Sequence, residues 1–328
     1  MKYSTLILGL SLASLIALGL AASLGSTPIS FQRIGSALIH MGTPSDEVII
    51  WHIRLPRALA AYLTGLALGA SGAALQGLLR NPLAEPGVLG VSASASLGAV
   101  LAIYYGLTAI TPLALPAFAI IGALAATLLI AVMAIYTDSV VSLILVGVGL
   151  SSFAAACLSL LMNLAPHPFS LTDMITWMLG SVANRSFDDI LMVLPFMALG
   201  AGLLTFTRTG LSVLTLGEET AAGMGLNLVR LRFTLVLGTG LMTGAAVALA
   251  GAIGFVGIVA PHLIRPFVKG DPARTLLPAA LLGGILLVMA DIGIRLIPSQ
   301  NELHLGVMAA LLGAPIFIWI VLQRRGTL

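Results

Sequence analysis

Apolar runs close to the 20 or so residues needed to cross a bilayer recur from one end of this 328-residue chain to the other. That recurrence implies an all-α polytopic membrane protein. Composition agrees: 59% of residues are hydrophobic and 8% are charged, against roughly 25% charged in soluble globular chains. The 36 glycines show no three-residue period and suit close helix packing through small residues. A single cysteine, Cys157, rules out an intrachain disulfide and reads as a small buried hydrophobe. The net charge of +3 comes from residues scattered at span ends, so no nucleic-acid patch is expected. The first segment carries Lys2 and an apolar core longer than a signal peptide's, and reads as a retained span.

Ten spans are expected, over about 4–25, 58–77, 91–108, 112–136, 140–162, 189–206, 233–250, 251–267, 277–296 and 305–322. Between the first two, a surface helix is expected near Phe31–His40 and a turn at Gly42–Asp46. TDMITWMLGSVANRSF reads as a short surface helix capped by Thr172 or Asp173. With both termini in the cytoplasm, ten of the 15 Lys and Arg residues fall inside, the direction of the positive-inside bias. Arg33, Arg54, Arg57, Arg185 and Arg295 break it. Trp51 and Trp319 lie near span ends, where lipid or packing contact is expected. TGLALGASGAALQG and TGLMTGAAVALAGAIG each follow an arginine pair, in helices of opposite direction, as an inverted repeat or a chance Ala/Gly match would.

Several chemistries are set aside. No G-x-x-x-x-G-K-[ST] occurs, so the chain has no P-loop. The glycines of GAIGFVG lack a soluble strand–helix context and suit helix packing or a hinge. GVSAS has no histidine partner readable from sequence, and the five histidines (40, 52, 167, 262 and 304) lack metal-ligand spacing. Asp291 is the one carboxylate inside a clearly apolar span, and Arg295 follows on the same helix face. Neutralising or orienting Arg295 suits it better than a proton relay. The polar stretch at about 207–232 is longer than a bundle loop needs. Its Gly217, Glu218, Glu219, Gly223 and Gly225 suggest two short helices with a glycine break, fit for docking a cytoplasmic partner.

RLPR at 54–57, GASGAALQGLLRNPLAEPGVLGVS at 69–92, LGEETAAGMGLNL at 216–228, GAIGFVGIVAPHLIR at 251–265 and LGAPIFIWI at 312–320 occur in one order along the chain. In these the sequence resembles the permeases of ABC importers for iron–siderophores, haem and cobalamin. The resemblance implies a single permease domain over 1–328, with type II importer architecture and ten transmembrane helices. It implies a homodimer in a bacterial inner membrane, two cytoplasmic ATPases that carry the ATP and Mg, and an external binding protein. No cofactor is implied in this chain, which would be a non-catalytic subunit. It implies coupling residues Leu216, Gly217, Glu218, Glu219, Ala221, Ala222, Gly223, Gly225 and Leu226. A structural or gating motif corresponds to Gln76, Arg80, Asn81, Pro82, Gly251, Gly254, Gly257, Pro261 and His262. Docking of the binding protein's acidic lobes corresponds to Arg54, Arg57 and Arg295, with Pro56 in a helix's first turn. A ferric siderophore is the first expected cargo, with haem and cobalamin as alternatives. An ion-coupled carrier and an intramembrane Ser/His enzyme are the readings from other classes.

Overall fold

The structure, a computed structural model, describes residues 2–25, 29–137, 139–297 and 303–324. The helices are α1 (Tyr3–Ser23), α2 (Phe31–Leu38), α3 (Pro44–Val48), α4 (Leu55–Leu78), α5 (Val91–Tyr104), α6 (Ala114–Tyr136), α7 (Val140–Asn163) and α8 (Pro168–Met178). There follow α9 (Phe187–Phe206), α10 (Arg208–Leu214), α11 (Glu218–Gly223), α12 (Leu228–Ala250), α13 (Val256–Ile264), α14 (Pro272–Leu296) and α15 (Leu305–Arg324). Among the described residues there is no strand. Among the described residues, seven helices can cross a membrane by length and composition, and three shorter apolar ones accompany them.

The two most buried long helices, α4 and α12, pack against each other at the centre. Around them, α4 meets α14 and α13, while α12 meets α6 and α9. The α4–α14 seam is built on small residues. Gly65 and Gly69, a GxxxG pair, lie against the backbone of Gly283 and Ala279, so the helices meet main chain to main chain. By contrast α1, α7 and α9 leave most of their apolar surface outside the protomer core.

Several local expectations are corrected. The turn at Gly42–Asp46 is instead the start of a helix: Thr43 caps α3, and the chain stays helical from Pro44 to Leu78. Those 35 residues span about 52 Å at 1.5 Å per residue, well beyond a bilayer core. Pro56 therefore lies inside a continuous helical run. A π turn over Ile49–Arg54, with Leu55 N–H bonding Ile50 O, widens the coil just before it. Proline's ring would otherwise clash with the preceding turn. Likewise α8 starts at Pro168, so Thr172 and Asp173 lie within it; Thr172 Oγ1 donates back to Pro168 O. Helix α14 begins five residues earlier than the expected span, because Asp271 caps it with Pro272 in its first turn. The contact expected of Trp51 is present as packing: it stacks on His40 with centroids 5.1 Å apart, and its Nε1 donates to Ala37 O. The side chain of Trp319 lies outside the described residues. Cys157 is half-buried.

Candidate functional site

At one end of the bundle the three expected docking arginines converge on the chain itself. The last carbonyls of a helix have no partner within it, and the dipole makes that end negative. No basic residue lies in the last turn of α1. Arg54 supplies the donors from before α4, with Nη1 at 3.0 Å from Ala22 O and 2.7 Å from Ser23 O. Arg295 of α14 donates to Ala21 O at 2.9 Å and Leu24 O at 3.0 Å. Asp291, 1% exposed, joins the other two helices: Arg57 binds it through Nε at 2.9 Å and Nη2 at 2.7 Å, and Arg295 forms an ion pair at 3.0 Å. The expected pairing of Asp291 with Arg295 is present, and Arg57, 234 residues away, is the partner that helix spacing did not show. These four side chains carry a net charge of +2, three guanidiniums against one carboxylate.

Beside this end, Arg185 lies over the Trp177 ring at 5.3 Å, and burial lowers its affinity for the proton, partly offset by Asp189. Both line a cavity of about 400 Å³ with Asp173, Thr176 and His304.

A second cluster holds the discontinuous helix α13. The chain breaks at Gly251 (φ +75°), and Phe255 adopts φ +67°, an uncommon conformation without glycine. Glu85, in the connector after α4, accepts from Phe255 N–H at 3.0 Å at the head of α13. Burial raises its pKa and the Phe255 bond lowers it, the burial effect being larger. Gln76 donates to Gly257 O at 3.2 Å and accepts from Arg265 at 2.8 Å. Gly257 admits no side chain beside Pro86, Gly72 faces the Gly257 backbone, and Gly254 lies close to the Glu85 carboxylate. Pro261 is buried and His262 half-buried on the same helix. Thus Gln76 and Gly257 of the motif meet directly, Gly254 lies against Glu85, and Pro261 is one turn further along α13. Arg80, which leaves α4 at φ +49°, and Pro82 line a cavity of about 220 Å³ with Thr215 and Arg265. Asn81 stays in the connector, accepting from Leu83 N–H. Sequence reasoning passed over Glu85; its place in a moderately polar connector was the available signal. Glu85→Ala is expected to leave Phe255 N–H without an acceptor and to destabilise the purified protein by about 1–3 kcal/mol. Glu85→Gln, which keeps an oxygen there, is expected to cost less than half as much in the same thermal melt.

At the other end of the bundle, Gly217 (φ +105°) and Gly225 (φ +87°) bracket α11. Leu216, Glu219, Ala222, Gly223 and Gly225 are exposed, as is Met224, which sequence reasoning left out. Ala221 is fully buried, and Leu226 packs beside Gly210. Glu218 also turns inward, to Arg232 of α12 at 2.9 Å.

A family model, the FecCD transport family, matches residues 11–323. The chain belongs to the FecCD transport family. The permease is 40% identical to an uncharacterized ABC transporter permease protein, YvrB, of Bacillus subtilis (strain 168), over 99% of this chain and 95% of that one. It is also 40% identical to the vitamin B12 import system permease protein BtuC of Vibrio cholerae, over 85% and 84%. A solved structure described as an inward-facing conformation of a metal-chelate type ABC transporter superposes with TM-score 0.85 at 28% identity, covering 98% and 99%. This FecCD chain is an ABC importer permease of the FecCD/BtuC type. Membership sets aside the carrier and Ser/His enzyme readings.

Proposed function

We propose that this permease forms, as a homodimer, the pathway of a binding-protein-dependent importer for a metal chelate in a bacterial inner membrane. It would cross ten times, with α5, α13 and α15 joining the seven longer helices and both termini cytoplasmic. The observation that carries the reading is the α10–α11 segment, which presents Leu216, Glu219, Ala222 and Met224 outward at one end of the bundle. An apolar face of that kind with one acid suits a protein partner, and two cytoplasmic ATPases carrying the ATP and Mg fit it. A corrinoid is the first cargo to test, because BtuC relatives bear the vitamin B12 name. The ferric siderophore and haem follow. The binding protein would approach the end holding Arg54, Arg57 and Arg295, whose guanidiniums suit acidic lobes.

Reconstituting the permease with its ATPase and binding protein in proteoliposomes tests this. ATP-dependent uptake of labelled cobalamin, absent without either partner, is the expected result. Uptake that needs only an ion gradient would overturn it. Within the coupling face the two glutamates are expected to differ. Glu219→Lys should weaken ATPase pull-down by about tenfold through unfavourable charge juxtaposition. Glu218→Lys should act first on Arg232, lowering permease stability before ATPase binding.

A further inference from the structure

We propose that Arg232 is the positioning residue that passes displacement of the coupling helix α11 to the end of α6 at Thr137, next to α7. This rests on the reading of α10–α11 as the ATPase face. The guanidinium is buried one turn into α12, the most buried long helix. It meets two groups from separate elements. Glu218, in the first turn of α11, accepts from Nη2 at 2.9 Å. Thr137 O, the carbonyl that closes α6, accepts from Nη1 at 3.4 Å.

Both contacts follow from charge. A carboxylate and the negative end of a helix each favour a cation, and a guanidinium can serve two acceptors at once in fixed geometry. Glu218 sits where α11 leaves Gly217, so movement of α11 moves the carboxylate directly. Thr137 sits where α6 ends, three residues before α7 begins. In that span Thr137 Oγ1 also accepts from Ser139 N–H at 3.4 Å. Thr137 and Ser139 thus connect the end of α6 to the start of α7.

Helix α7 has 17% of its apolar window buried in the protomer, so it holds few contacts within its own chain that would oppose a shift. Arg232 itself is held by α12, which packs on α6, α9 and α4 and acts as the fixed post. Glu218, 37% exposed, forms the movable end. Arg232 acts through Glu218 and Thr137; it needs no contact with cargo or nucleotide.

The test uses the full complex with ATPase and binding protein in nanodiscs and proteoliposomes. Three things are read: ATPase binding, cobalamin carried per ATP hydrolysed, and the distance between spin labels at Ser139→Cys in the two copies. Wild type should change that distance on nucleotide binding. Arg232→Ala should still bind the ATPase, lose the change, and carry about tenfold less cargo per ATP. Arg232→Lys should restore part of both, and the charge-swapped pair E218R/R232E should recover more than either single change. Where Arg232→Ala does not accumulate, Glu218→Gln replaces it, since it removes the charge from a partly exposed side chain. A wild-type distance change and transport ratio in these variants would overturn the proposal. If the wild-type complex carries no cobalamin, the cargo reading has failed, and the label distances still decide the role of Arg232.

Discussion

Thermal unfolding of an Asp291→Ala permease in detergent is expected to start well below that of the wild type. Asp291 pairs with both Arg57 and Arg295, whose side chains are 13% and 7% exposed. Removing it takes a buried carboxylate away from two inward-facing guanidiniums. Removing one member of a buried pair costs about 3–5 kcal/mol. For a chain larger than 150 residues that corresponds to a drop of roughly 6–20 °C in melting midpoint. The loss is expected to spread to α1, because Arg295 also holds Ala21 O and Leu24 O; protease cleavage near residue 25 should increase. The triple variant R57M/D291M/R295M is expected to regain most of the stability, since an apolar set of similar volume often replaces a buried ion network without loss. It should also remove two guanidiniums for one carboxylate, so binding-protein affinity and its dependence on salt should both fall. Unchanged melting in Asp291→Ala would mean that water reaches the cluster and screens it.

Gly65→Leu is expected to abolish recovery of folded permease. A side chain at residue 65 points into the Gly283 carbonyl and the Gly284 Cα on α14. Main-chain atoms of two packed helices cannot move aside as a side-chain tip can, so the seam must open along its length. Overpacking costs about 1–3 kcal/mol where side chains can adjust, and the backbone contact puts this site at or beyond the upper end. Gly72→Ala should show a milder form of the same defect, because its neighbour is the Gly257 backbone of the short helix α13. Gly19→Ala in α1 and Gly202→Ala in α9 meet nothing within 4 Å. They are expected to be neutral or slightly stabilising, by up to about 1 kcal/mol, as alanine favours helix. Size-exclusion profiles and melting midpoints of the four variants check the contrast. Normal folding of Gly65→Leu would remove close approach as the basis of the α4–α14 seam.

Much of this architecture can be read along the chain. The long apolar helices, the break at Gly251 and the glycines that bracket α11 follow from patterns a few residues wide. Apolar length, a positive φ or a proline acts locally, so local sequence suffices to place them. The segregation of positive residues to the bundle ends is equally visible, because each charge must sit near water or a partner whatever the packing. The boundaries at Pro44 and Pro272 were less legible, since a capping residue before proline reads as a turn until the following helix is known to continue.

What sequence alone left open is where each polar side chain goes. It marked Arg54 as a charge at a span end; the fold assigned it to carbonyls 31 and 32 residues away. It marked Glu218 as acidic and surface-bound; the fold turned it to Arg232. It passed over Glu85; the fold placed it at the head of α13, 170 residues further on. Inside a membrane one apolar face packs on another with little preference, because lipid tails offer the same surroundings as a neighbouring helix. Which helices become neighbours is settled by close backbone approach at Gly65, Gly69 and Gly72, and only then does each buried charge acquire its partner.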